Sequence, residues 1–282
     1  MSADQLARAL AGPAAPLLVD CSFDLADPQA GQRAYAQGHI PGAHYLHLEA
    51  DLSGPVTDRS GRHPLPDRAG FASRMAGLGA RPDTQVVAYD NAGGMYAARL
   101  WWLMRWLGHG AVAVLDGGLA AWRAAGLPVT AEPAPVPLPE PEECLLRESL
   151  VRTVQYDTVR ANLQTGRLLL IDARAPDRFR GENETLDPVG GHIPGARNRL
   201  FRDNLDSAGR FKTPAELRQA FEALADGHAP TELVSQCGSG VTACHNLLAL
   251  EIAGLSGAAL YPGSWSEWCR QPGAPIATGP NP

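Results

Sequence analysis

GHIPGA, at residues 38–43, returns letter for letter at residues 191–196. Each copy lies downstream of an apolar run that closes on an aspartate: LLVD ends at Asp20 and LLLID at Asp172. Short apolar runs of this kind read as buried strands. The correspondence continues with VVAYD, ending at Asp90, and LVSQC, ending at Cys237. Both lead through a small-residue loop into an apolar helical segment, MYAARLWWLMRWLG in one case and VTACHNLLALEIAG in the other. Last, VLDGGLAAW (114–122) matches ALYPGSWSEW (259–268), where a strand passes through glycine into a tryptophan-bearing helix. The copies are offset by about 150 residues, too far apart for a solenoid, so a whole domain is duplicated. Strands alternating with helices need crossovers, and crossovers make neighbouring strands parallel. The expected fold is α/β: two tandem domains, each a parallel sheet flanked by helices.

The length of 282 residues suits two domains of ordinary size. Between the repeats, residues 127–150 read LPVTAEPAPVPLPEPEECLLRESL, and the six prolines there exclude a helix or a central strand. The expected layout is an N-terminal domain over 1–126, a linker over 127–150 and a C-terminal domain over 151–282. With 45% hydrophobic and 19% charged residues the chain has the composition of a packed globular protein. A net charge of -6 offers no basic field for nucleic acid or anionic lipid, and neither is an expected partner. The opening MSADQLARAL has no signal-peptide pattern and no stretch is long and apolar enough for a membrane span, so a cytoplasmic protein is expected. Five cysteines, at 21, 144, 237, 244 and 269, form no CxxC pair, which argues against a zinc cluster or a disulfide scaffold.

Chemistry points to one of them. Cys237 ends a strand and begins CGSGVT, where Gly238 and Gly240 let the backbone curl with its amides turned toward the sulfur. The helix that follows adds the positive end of its dipole, and both effects favour thiolate over thiol. The hydroxyls of Ser239 and Thr242 are further candidate donors to the sulfur. The matching DNAGGM loop offers the carboxylate of Asp90, so the first half is expected to be silent. A phosphatase loop of the C-x5-R type would need arginine where Ala243 stands.

The two GHIPGA segments, the DGG and GSWSEW turns and the cysteine loop together resemble the tandem-domain rhodanese and 3-mercaptopyruvate sulfurtransferase family over nearly the full chain. The resemblance implies a persulfide at Cys237, loaded by a small-molecule sulfur donor and unloaded by a thiophilic acceptor such as cyanide, thioredoxin or another thiol. No metal or organic cofactor is implied. Thiosulfate-preferring members resemble CRKGVT in the loop and mercaptopyruvate-preferring members CGSGVT; the neutral loop here favours mercaptopyruvate, with thiosulfate as the alternative donor. The resemblance further implies that Gly238, Gly240, Val241 and Thr242 bind substrate beside Cys237, and that Arg178 is the first of two arginines clamping a carboxylate. The second falls on Asp187, leaving Arg180, Arg197 or Arg199 to supply the missing charge. His63, in GRHPLP, and Glu49, with Asp51 as competitor, match the first-domain histidine and carboxylate that act with Ser239 on the cysteine.

Several conspicuous residues are expected to be structural. His39 and His192 sit in both copies of GHIPGA, Asp20 and Asp172 cap turns, Cys244 packs inside a helix, and Trp101, Trp102 and Trp106 face the interior. Arg174 and Arg180 read as a solvated basic edge.

Overall fold

The computed structural model describes residues 1–135 and 145–281; Cys144 and linker residues 136–144 lie outside the described residues. The chain divides into two compact units. The first comprises Met1–Gly54, Leu65–Leu150 and Ser207–Arg210, the second Pro55–Pro64, Val151–Asp206 and Phe211–Pro282. The units therefore depart from chain order in one place that matters below: Pro55–Pro64, drawn from the first repeat, is counted with the second unit.

In the first unit, β1 (Leu17–Asp20), β2 (His44–Tyr45), β3 (Val86–Tyr89) and β4 (Val112–Val114) form a parallel sheet in the order β2-β1-β3-β4. In the second, β5 (Arg152–Thr153), β6 (Leu169–Asp172), β7 (Arg197–Asn198), β8 (Leu233–Gln236) and β9 (Ala259–Leu260) are parallel in the order β5-β9-β8-β6-β7. Every residue of β3, β6 and β8 is buried, as expected of parallel strands covered on both faces. The helices Ala97–Trp106 and Thr242–Ile252 follow β3 and β8, and both are buried over most of their length. Among the described residues no helix is long and apolar enough to cross a membrane.

Equivalent positions of the repeat build the two cores. Leu18, Ile40, Ala43, Val87 and Trp122 cluster in the first unit, and Leu170, Ile193, Ala196, Val234 and Trp268 in the second. GHIPGA is structural in both. His39 stacks on Tyr35 at 3.7 Å with Nδ1 2.7 Å from the Tyr35 carbonyl; His192 stacks on Phe179 at 3.7 Å with Nδ1 2.9 Å from the Phe179 carbonyl. Asp20 and Asp172 accept from the amides of Ser22 (2.8 Å) and Arg174 (3.0 Å), closing the turns as expected. Trp101 and Trp102 are buried, and Trp102 stacks with Trp106. Trp268 is fully buried and donates Nε1–H to the Pro275 carbonyl at 2.9 Å. Its replacement by alanine is expected to cost about 3–5 kcal/mol, read as a lower urea midpoint at unchanged slope.

Candidate active site

β8 is an inner strand flanked by β9 and β6, and Cys237 emerges at its carboxyl end, where open parallel sheets place their ligands. The chain curls at once. The Ser239 and Gly240 amides donate to Cys237 Sγ at 3.4 and 3.1 Å. Gly240 has φ +78°, and a Cβ there would stand 2.6 Å from the Pro262 carbonyl oxygen, so the curl requires glycine. Val241 caps the helix that starts at Thr242, aiming the helix N-terminus at the loop. Ser239 thus reaches the sulfur through its amide, whereas hydroxyls of both Ser239 and Thr242 were expected to do so. Among the described residues no hydrogen bond joins Thr242 to the sulfur. The Ser239 hydroxyl lies 2.7 Å from His63 Nδ1 instead.

His63 arrives on the Pro55–Pro64 segment, which is tied down through its backbone: the Arg62 amide donates to Ser266 Oγ at 3.0 Å. A Cβ on Gly61 would stand 2.5 Å from the Gly263 carbonyl oxygen. The same segment carries Arg62, whose place in the site the residue pattern alone did not reveal. Its Nη1 pairs with Asp187, a carboxylate with no exposed side-chain surface. Arg178 makes a forked pair with Glu184 (Nη2–Oε1 2.8 Å, Nε–Oε2 3.0 Å) and approaches Asp187 at 3.5 Å. Measured from an ideal Cβ on Gly238, Arg62 Nη2 lies at 2.9 Å and Arg178 Nη1 and Nη2 at 3.7 Å, so both guanidiniums stand over the sulfur loop. Arg62 Nε is buried without a hydrogen-bond partner.

The second guanidinium standing over the loop is that of Arg62, while Arg180, Arg197 and Arg199 are engaged elsewhere. Arg180 pairs with Glu182, Arg197 with Asp226, and Arg199 donates to Asn204 and lies over the Phe221 ring. Arg174 is no solvated edge: it is 3% exposed, pairs with Asp172 at 2.7 Å and lies 4.8 Å above the Trp265 ring. Burial opposes its charge, but Asp172 and Glu184 outweigh that and raise its pKa. Glu184 is the converse case. Burial pushes its carboxyl up, yet the Leu186 amide and the Arg178 guanidinium hold it below the ordinary range. Glu49 lies in the first unit, exposed, with its amide donating to His47 Nδ1 at 3.2 Å; Asp51, its competitor, pairs with Arg74 at 3.1 Å.

The loop after β3 supplies an internal comparison. There the carboxylate of Asp90 takes four amides of its own loop: Ala92 and Gly94 at 2.8 Å on Oδ1, Tyr96 at 2.8 Å and Ala97 at 2.9 Å on Oδ2. The first unit's cradle is filled by its own side chain; the second unit's holds a single sulfur atom on two amides.

The other described cysteines are set apart. Burial, with Asp20, Asp90 and Asp51 adding to it, raises the Cys21 thiol well above its usual range. Burial and then Asp187 push Cys269 up to about 11. Cys244 is buried and donates to the Gly240 carbonyl at 3.3 Å. Iodoacetamide at pH 7 is expected to leave Cys21 and Cys269 unmodified, and Cys269 to react only as the pH approaches 11. Peptide mapping that finds Cys269 labelled at pH 7 as fast as Cys237 would contradict this.

Fold and site together define a tandem α/β protein with one cysteine seated in an amide-lined loop at the carboxyl end of a central strand of its second sheet. The chain belongs to the rhodanese family, matching the rhodanese-like domain at residues 2–125 and again at 155–271. It is 51% identical over 281 residues to a probable 3-mercaptopyruvate sulfurtransferase of Pseudomonas aeruginosa, with 99% of this chain and 98% of the relative covered. It is 39% identical over 264 residues to a thiosulfate sulfurtransferase of Cricetulus griseus, covering 90% and 85% of the two chains. Among solved structures it is similar to the 3-mercaptopyruvate sulfurtransferase of Leishmania major, with TM-score 0.83, 30% identity and coverage of 95% and 73%.

Proposed function

We propose that the protein is a sulfurtransferase that takes the sulfur of 3-mercaptopyruvate onto Cys237 as a persulfide and passes this sulfane sulfur to a thiophilic acceptor: cyanide, thioredoxin or another thiol. The observation that carries the reading is the Cys237 sulfur held on two loop amides with two arginines beside it. The Cys237 thiolate attacks the donor sulfur; an S–S bond forms, the C–S bond breaks, and its electron pair leaves as the pyruvate enolate, which takes a proton to become pyruvate. An acceptor thiolate then attacks the outer sulfur and regenerates the Cys237 thiolate, a ping-pong cycle. The loop amides stabilise negative charge on either sulfur, as an oxyanion hole does for oxygen. The Ser239 and Gly240 amides form this cradle, and Gly238, Gly240, Val241 and Thr242 bind the substrate beside it.

Arg178 and Arg62 bind the donor carboxylate, with Glu184 and Asp187 holding the two guanidiniums in place. Support comes from the unpartnered Arg62 Nε and from the position of both groups over Gly238. Ser239, oriented by His63, hands a proton to the departing enolate. His63→Ala is expected to lower kcat for pyruvate release about 10²-fold while leaving KM within a few fold. The Asp90 carboxylate already occupying the other cradle supports a first domain that carries no sulfur. Glu49 stays a candidate carboxylate for the same relay, tested by Glu49→Gln against Asp51→Asn.

The donor is decided by comparing kcat/KM for 3-mercaptopyruvate and thiosulfate. The neutral CGSGVT loop supports mercaptopyruvate, because a dianion would gain from cationic loop side chains that are missing here. A strong thiosulfate preference would overturn this choice.

A further inference from the structure

The turn that supports the sulfur loop contains a strained residue. Ser264, in GSWSEW, has φ +54°, a left-handed conformation that side-chain-bearing residues rarely adopt, and it is fully buried. Its hydroxyl accepts from the Cys237 amide at 3.1 Å and donates to the Tyr261 carbonyl at 2.9 Å. The neighbouring amides complete the contact: Trp265 donates to the Cys237 carbonyl and Ser266 to the Gly238 carbonyl, both at 2.9 Å. The nucleophile's peptide is thus held at its nitrogen by a side chain and at its oxygen by the backbone.

The first unit shows the same turn without this device. The residue matching Ser264 is Gly118, with φ +57°, and its neighbour Leu119 donates to the Asp90 carbonyl at 3.2 Å, as Trp265 does to Cys237. A Cβ on Gly118 would fall 2.2 Å from that carbonyl oxygen. Where the loop holds its own carboxylate, the left-handed position is glycine and the turn closes directly on the strand end. Where the loop holds a sulfur, the position carries a side chain in a conformation glycine would take freely, and the hydroxyl stands between turn and nucleophile. Strain retained against an available unstrained residue marks a functional constraint.

We propose that Ser264 is a positioning residue for sulfur transfer: by fixing the Cys237 amide it sets where Sγ stands against the Ser239 and Gly240 amides. The inference rests on reading Cys237 as the sulfur acceptor. Among the described residues no hydrogen bond joins Ser264 to the sulfur; it acts through the peptide of Cys237.

Two variants of the full chain test it. Ser264→Gly removes the hydroxyl and the strain together; Ser264→Ala removes the hydroxyl and keeps the strain. With 3-mercaptopyruvate as donor and cyanide as acceptor, kcat for thiocyanate is expected to fall about 10-fold in both, with KM for the donor within twofold of wild type. Thermal unfolding separates positioning from mere stability: both variants orphan the Cys237 amide, but Ser264→Gly also relieves the strain and is expected to melt above Ser264→Ala while losing kcat to the same extent. Wild-type kcat in Ser264→Gly, or kcat losses that follow the melting temperatures of the two variants, would overturn the proposal. If wild-type protein forms no thiocyanate while the variants remain folded, the reading of Cys237 has failed instead, and quenched mass analysis of Cys237 loading identifies that case.

Discussion

Cys237→Ser is expected to abolish sulfur loading and to reduce thiocyanate formation by about 10⁴-fold or more. The substitution is nearly isosteric, so the loop should survive it. The bonds that shape the loop, from the Cys237 amide to Ser264 and from Trp265 and Ser266 back to Cys237 and Gly238, are made by the backbone of the loop. What is lost is the nucleophile, since a neutral hydroxyl neither ionises at working pH nor attacks sulfur well. No other described cysteine is placed to substitute. Cys21 and Cys269 are held as thiols by burial, and the Cys244 thiol is turned to the Gly240 carbonyl. Turnover near the wild-type level would require another sulfur acceptor and would end the present reading of the site.

Replacing Arg62 and Arg178 together is the second large effect. Each guanidinium bound to a carboxylate contributes about 1.5–3 kcal/mol, and each 1.4 kcal/mol is tenfold in affinity. The double variant Arg62→Gln/Arg178→Gln is therefore expected to raise KM for 3-mercaptopyruvate by about 10³-fold. Glutamine is the better choice than alanine, because Asp187 and Glu184 have almost no exposed side-chain surface and the glutamine amide can still donate a hydrogen bond to each carboxylate once the charge is gone. The single variants discriminate further. If Arg62 is only a counterion for Asp187, Arg62→Gln lowers the melting temperature and leaves KM alone; if it binds donor, KM rises about 10-fold or more on its own.

The fold was legible because the duplication repeats its own signals. The short runs closing on Asp20, Asp172, Asp90 and Cys237 are β1, β6, β3 and β8 or their carboxyl ends, and GHIPGA supplies the same buried isoleucine and alanine to each core. Cys237 was legible too, because glycine and serine after a strand and before a helix describe a curl of amides. The arginine pair was only half legible. Arg178 is implied by the family resemblance, but Arg62 reaches the site from more than a hundred residues away, on a segment that belongs with the other repeat's unit. A signal existed in hindsight: Arg62 adjoins His63, and the acidic stretch GENETLD after Arg178 holds two carboxylates, Glu184 and Asp187, in need of buried partners. Arg174 was misread because an arginine two residues after a strand-ending aspartate looks exposed, whereas Asp172 and the Trp265 face take it inside. The strain at Ser264 had no sequence signal apart from its alignment with Gly118.

The central claim is that Cys237 carries the sulfur. Intact mass spectrometry after brief treatment with 3-mercaptopyruvate, in parallel with thiosulfate and followed by peptide mapping, tests it most directly. One added sulfur, about 32 Da, is expected on the Cys237 peptide, with faster loading from 3-mercaptopyruvate. No added mass from either donor, or mass added on another cysteine, would contradict it.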